Sequence, residues 1–175
     1  MWLLGLPLWL IPIWLLGLKM ITIYTDGSAL GNPGPGGYGI VLLKDHHRKE
    51  VSQGYRLTTN NRMELLSVIV ALEMIKVPNS HVTIFSDSKY VVDSVDKGWV
   101  FGWVKKGFKD KKNVDLWKRF LLIYPKHHIK FKWVKGHAAN PLNERCDQLA
   151  VAASNSRDLL VDEGYEAIRK AEGLF

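Results

Sequence analysis

Ile21-Thr22-Ile23-Tyr24-Thr25-Asp26-Gly27 opens the folded part of the chain and decides how the rest is read. Its β-branched and aromatic residues predict a strand, and Asp26-Gly27 predicts a turn at its end. His81-Val-Thr-Ile-Phe85 repeats the logic, alternating and stopping at Ser86-Asp87. If these strands are parallel neighbours, Asp26 and Asp87 project from one sheet edge, the carboxyl edge at which open α/β sheets bind ligands.

Between and beyond them, strands alternate with helices. Gly31-Asn-Pro-Gly-Pro-Gly-Gly37 reads as a loop by composition. Tyr38–Lys44 and Val51–Leu57 read as strands joined across a polar Asp45–Glu50 turn. Thr59 or Asn60 can cap a helix through Lys76 that is apolar nearly all round and therefore buried, ended by Pro78 and Asn79. A short helix over Ser88–Val95, a helix over Val114–Ile123 and a strand over His128–Val134 follow. Lys135-Gly-His-Ala-Ala139 is a loop, and Asn140 with Pro141 makes an N-cap and first helical residue. The last helix places Leu142, Cys146, Leu149, Ala150 and Ala153 on one face. This order predicts an α/β fold, a mixed sheet with helices covering it.

The chain has 175 residues, enough for one domain with a substantial core. Its single cysteine excludes a disulfide framework and a cysteine-rich zinc site, and fits a reducing, cytoplasmic compartment. The net charge of +7 is concentrated: Lys97 to Arg119 holds eight basic and two acidic residues, interleaved with Trp99, Trp103, Phe108 and Trp117. Met1–Leu18 stands apart, uncharged, with 14 apolar residues of 18 and three tryptophans. A transmembrane helix needs about 20 apolar residues, and Pro7 and Pro12 interrupt this run. A secretory signal would need a basic start and a small-residue cleavage site, and neither is present. Since a strand begins at Ile21, only Lys19 and Met20 could separate a bilayer from the folded domain. The favoured reading makes residues 1–19 an extension ahead of a true start at Met20 rather than a membrane anchor. Residues 20–168 form the domain, and residues 169–175 form a tail.

The carboxylates carry the chemistry. Asp26 and Asp87 close strands, Glu64 lies in the first turn of the buried helix among apolar residues, and Asp147 follows Cys146 beside the buried face of the last helix. Each has an ordinary explanation: a turn, a dipole partner, a solvated acid. As a set they would repel one another and stay ionised only beside a cation. Oxygen donors without His or Cys suit Mg²⁺ or Mn²⁺. Two such ions about 4 Å apart can activate a water and stabilise a leaving oxygen in phosphoryl transfer.

Thr25-Asp-Gly-Ser28, Gly31-Asn-Pro-Gly-Pro-Gly-Gly-Tyr-Gly39, Thr59-Asn-Asn-Arg-Met-Glu-Leu65, Ser86-Asp-Ser88, Lys112-Asn-Val-Asp-Leu-Trp117, Trp133-Val-Lys-Gly-His-Ala138 and Asn143-Glu-Arg-Cys-Asp147 occur in one order. Together they resemble prokaryotic-type ribonuclease HI, from about Met20 to Ile168. The resemblance implies a five-stranded mixed sheet, three antiparallel strands then two parallel ones, flanked by helices. It implies an endonuclease that cuts the RNA strand of RNA–DNA hybrids by a two-metal-ion mechanism, leaving 3′-hydroxyl and 5′-phosphate ends. It also implies a monomer with no small-molecule cofactor. On these motifs Asp26, Glu64, Asp87 and Asp147 would hold two Mg²⁺ ions, with Mn²⁺ as substitute. His137, in a loop with Gly136 and two alanines, would assist proton movement or product release.

Substrate choice has its own logic. Only RNA offers a 2′-hydroxyl, and reading it needs close backbone approach and short polar side chains. Gly27, Ser28, Gly31, Asn32, Asn60, Asn61 and Ser88 supply these. The basic stretch resembles the family's DNA-gripping protrusion, with Lys105, Lys106, Lys109, Lys111 and Lys112 neutralising phosphates and Trp99 and Trp103 packing on sugars or on the protrusion's own helix. Lys89 stands where many relatives carry Gln, which would turn a polar substrate contact into a phosphate contact. Phe108 replaces a common Trp, and the protrusion carries an extra residue around Lys97-Gly98. Alternatives are a catalytically silent hybrid-binding module, or a resolvase- or transposase-type nuclease of the same fold.

Overall fold

The computed structural model describes residues 20–136 and 140–174. Five strands run β1 Met20–Ala29, β2 Gly34–Lys44, β3 His47–Thr58, β4 His81–Ser86 and β5 His128–Trp133. Six α-helices accompany them: α1 Asn60–Glu73, α2 Lys89–Asp96, α3 Trp99–Lys105, α4 Val114–Ile123, α5 Pro141–Ser154 and α6 Glu163–Ala171. The sheet order is β3-β2-β1-β4-β5. β1–β2 and β2–β3 are antiparallel hairpin pairs, while β1–β4 and β4–β5 are parallel. This is the mixed five-stranded architecture expected from the motifs.

The two helices that matter most lie on opposite faces, because successive strand residues point opposite ways. Gly36 faces Met63 of α1, whereas Gly37 and Gly39 face the α5 backbone at Ala150 and Cys146. α1 is buried along nearly its whole surface, with Met63, Leu65, Val68, Ile69, Ala71 and Leu72 fully enclosed. Thr59 is its N-cap, accepting from Arg62 N–H, and the helix stops at Glu73, short of the expected Lys76. Asn140 caps α5 by accepting from Leu142 and Asn143 N–H, with Pro141 leading the helix as the sequence suggested. The buried face of α5 is Asn143, Cys146, Ala150, Ala153 and Ser154, so a polar residue takes the place foreseen for Leu142.

Three local expectations are corrected. Asp26-Gly27 is not a turn: β1 continues through it to Ala29, with Asp26 opposite Gly39 and Gly27 opposite Tyr38. Gly34–Gly37 is strand rather than loop, and its glycines serve close contacts: a Cβ on Gly37 would stand 2.8 Å from Ala150 O. The polar Asp45–Glu50 segment is mostly strand as well, since Lys44 pairs with His47 across a turn of only Asp45 and His46. Helix α6 was not foreseen. It docks through one buried ionic knot, in which Arg62 forks to Asp162 (2.8 Å) and Asp115 (2.7 Å), while Thr58 Oγ1 donates to Asp162 at 2.6 Å. Asp162 is also the N-cap of α6, accepting from Tyr165 N–H. Arg62 is 1% exposed, so α1, α4 and α6 are joined at a point where losing one charge strands another.

Candidate active site

The β1–β4 pairing puts Thr25 beside Ser86, so the chain reaches Asp26 and Asp87 at the same level of the sheet edge. Glu64 comes from α1, four residues past its first residue and so beyond the first turn. Asp147 comes from α5. Asp26 is buried, with one oxygen accepting the Gly27 N–H at 2.7 Å. Its carboxyl is pushed up to about 8, first by burial and then by the Asp87 charge, with Asp147 and Glu64 adding to the rise and the Gly27 N–H opposing it. All three other acids therefore act on Asp26. Glu64 is raised too, chiefly by burial and also by Asp87, against the lowering hydrogen bonds from Ser88 and Asn60. Ser88 Oγ donates a short hydrogen bond to Glu64 Oε2, and Asn60 Nδ2 donates to Oε1 at 2.8 Å.

Asp87 is held from three directions. Trp133 Nε1 donates to its carbonyl at 3.0 Å, Asn143 Nδ2 approaches its Oδ2 at 3.4 Å, and Gly136 lies so near that a Cβ there would be 2.8 Å from Oδ2. Asn143 and Trp133 belong to stretches singled out for other residues, and their contacts to Asp87 were not foreseen. No local signal in the sequence marked Asn143, a short polar side chain four residues before Asp147 that the fold buries. His137 lies outside the described residues.

As a cation site the set has the right chemistry and an open geometry. The donors are carboxylate oxygens, and the nearby Cys146 thiol is pushed up to about 12 by burial, so it offers no thiolate. No three acidic, histidine or cysteine side chains among the described residues converge closely enough to hold an ion as they stand. A divalent cation bound there would offset the repulsion among these acids.

The flank of this edge is polar and then cationic. Asn32 Oδ1 accepts the Asn60 N–H at 3.3 Å. Asn32, Thr59, Asn61, Tyr90, Lys111, Lys112, Asn113 and Tyr165 help to line a cavity of about 560 Å³. A second groove of about 350 Å³ continues past Tyr90 to Ser94, Trp99 and Trp103. Trp103 sits edge-on to buried Trp117 at 5.6 Å with Lys111 over its ring at 5.2 Å, while Trp99 is 48% exposed under Lys97. Lys105, Lys106 and Lys109 are exposed around α3 and the turn after it. Gly27, Ser28 and Gly31 lie on β1 and the loop after it. Asn60 is spent on Glu64, and Ser88 both caps α2 and binds Glu64. Tyr90 and Asn113 are cavity residues that the sequence reading had not assigned.

The mixed α/β sheet, with Asp26 under the charges of Asp87, Asp147 and Glu64 beside a cationic aromatic groove, belongs to a nuclease class that the relatives of this chain identify. The RNase H family profile matches residues 18–155. Ribonuclease H of Trichodesmium erythraeum is 55% identical over 151 residues, covering 83% of this chain and 96% of that protein. Ribonuclease H of Desulforamulus reducens is likewise 55% identical, covering 83% and 94%. The crystal structure of LC9-RNase H1, a type 1 RNase H with the type 2 active-site motif, aligns with a TM-score of 0.73 at 34% identity, covering 87% of this chain and 81% of that one. LC11-RNase H1 in complex with RNA/DNA hybrid aligns at 0.62 and 27%, covering 77% and 96%. The chain belongs to the ribonuclease H family, whose members depend on divalent metal ions.

Proposed function

We propose that the chain hydrolyses the RNA strand of RNA–DNA hybrids at the edge flanked by Asp26, Glu64, Asp87 and Asp147, leaving 3′-hydroxyl and 5′-phosphate ends. One observation carries the assignment of the site: the parallel β1–β4 pairing brings Asp26 and Asp87 to one level of the sheet edge, where buried Asp26 also feels the charges of Asp147 and Glu64. A cation there would favour the ionised form of such a carboxyl.

Asp26, the most buried of the four, would hold the ions together with Glu64, Asp87 and Asp147. Hard oxygen donors favour Mg²⁺, with Mn²⁺ as substitute. Divalent ions bound there supply Lewis-acid polarisation of the phosphate and activation of a water. Ser88 and Asn60 fix Glu64 by donating one hydrogen bond to each of its oxygens, and Trp133 and Asn143 fix Asp87. We assign His137 to proton movement or product release. The chain passing Asp87 at Gly136, the residue before it, supports that role.

The hybrid's RNA strand lies against Gly27, Ser28, Gly31, Asn32, Asn61 and Lys89, where backbone and short polar groups can read a 2′-hydroxyl. Its DNA strand lies along the groove of Trp99, Trp103, Lys111 and Lys112, with Lys105, Lys106 and Lys109 nearby. The protein works as a monomer without a small-molecule cofactor, in the cytoplasm, where its unpaired cysteine is at home. No helix among the described residues is long and apolar enough to cross a membrane.

The test is a comparison of labelled hybrid, double-stranded RNA and double-stranded DNA in Mg²⁺. Cleavage confined to the RNA of the hybrid supports the reading. Equal cleavage of double-stranded RNA, or binding of hybrid without cleavage, contradicts it.

A further inference from the structure

Lys89 and Trp133 touch each other, a contact for which the reading above gives no use. Lys89 is the first residue of α2, directly after Ser88, and its side chain is exposed. Its ammonium lies 5.0 Å from the centre of the Trp133 ring, and no carboxylate among the described residues pairs with it. Trp133 ends β5 opposite Ser86, leaves 45% of its surface to solvent, and points its indole N–H at the Asp87 carbonyl. One aromatic side chain thus touches both the backbone of a candidate metal-binding acid and a lysine two residues further along the chain.

A lysine on a flexible four-carbon stem normally samples many rotamers. A ring face under the ammonium selects among them while leaving its N–H donors free. An exposed cation–π contact is worth about two- to fivefold in the population of the held rotamer. A carboxylate partner would have held the ammonium more tightly but cancelled its charge. The ring holds it without neutralising it, and the charge points outward beside Asp87. A neutral glutamine at this position could not be held in this way.

We propose that Trp133 is a positioning residue that presents Lys89 to a phosphate of the substrate backbone next to the carboxylate edge, so that the two act as one unit in strand binding. The proposal rests on the hybrid-cleaving reading of the edge and adds to it a residue that sets affinity and salt sensitivity.

The experiment is a double-mutant cycle on hybrid affinity, measured in EDTA over a range of salt, where cleavage does not interfere. K89Q is expected to weaken binding several-fold and to lower the salt slope by about one. W133L should weaken it about two- to fivefold, and should add nothing once Lys89 is already Gln. W133F keeps a ring face but loses the indole N–H. It should retain the parent affinity while lowering kcat through the freed Asp87 carbonyl, a split that general unfolding would not produce. A W133L penalty that persists in full in the K89Q background, or parent-like affinity in W133L, overturns the pairing. Failure of the parent itself to bind hybrid at low salt would instead reject the reading of the edge.

Discussion

Gly27 and Glu64 are in backbone contact across two elements: a Cβ on Gly27 would stand 2.3 Å from Glu64 N and 2.7 Å from Met63 C. The residue after Asp26 therefore forms the seat of the α1 turn that carries Glu64, and the spacing of those two acids is set by main chain. Gly27→Ala must push α1 off β1, since neither backbone can yield. The expected result is a loss of about 1–3 kcal/mol of stability, as for other overpacked sites, with kcat for hybrid cleavage falling more than KM rises. Gly102→Ala in α3, with nothing within 4 Å of the added carbon, is the neutral control in the same denaturation assay.

The raised carboxyl of Asp26 links stability to pH. In the folded chain, burial and then the Asp87 charge push Asp26 up to about 8, against 3.8 for the unperturbed side chain. Between these values the folded state holds a proton that the unfolded chain has released, so stability falls as pH rises through this window. Asp26→Asn removes the link. In metal-free buffer its melting temperature should match the parent near pH 4 and exceed it by several degrees at pH 8. A variant less stable than the parent at pH 8 would make Asp26 a structural acceptor.

Arg62 is enclosed between Asp162 and Asp115, with Asp162 itself 6% exposed. Arg62→Met leaves the Asp162 carboxylate buried and uncompensated, a loss of about 3–5 kcal/mol. Urea denaturation at pH 7 should show the midpoint drop, and adding Asp162→Asn should recover part of it. Independent, additive losses would contradict a shared ionic knot.

Lys111 and Lys112 line both the cavity beside Asn113 and the groove beside Trp103. Replacing each by Gln should weaken hybrid binding and lower the salt slope by about one per lysine. Lys130→Gln on β5, away from both cavities, should leave the slope unchanged. A parent affinity that is flat between low and moderate salt would exclude phosphate contacts in this groove.

What could be read in the sequence was what short segments decide for themselves. The alternation of His81–Phe85, the caps Thr59 and Asn140, and the all-round apolar α1 are local signals, and each gave its element to within a few residues. Parallel β1 and β4 then put Asp26 and Asp87 on one edge, which only the topology could establish. The glycines misled because their reasons are distant: Gly27 answers to α1, and Gly37 to α5, not to a turn. Helix α6 escaped notice since its anchor, Asp162 with Arg62, spans 100 residues. Trp133 and Asn143 were passed over because their contacts to Asp87 join segments far apart in the chain.

The most direct measurement compares RNA-strand cleavage of a labelled hybrid by the parent and by Asp26→Asn, with Mg²⁺ and with EDTA. The expected result is cleavage by the parent in Mg²⁺ alone, with the variant at least about a hundredfold slower, as for loss of a group central to charge stabilisation. Near-parental cleavage by Asp26→Asn, or parental cleavage that persists in EDTA, would show that hydrolysis does not take place at the carboxylate edge.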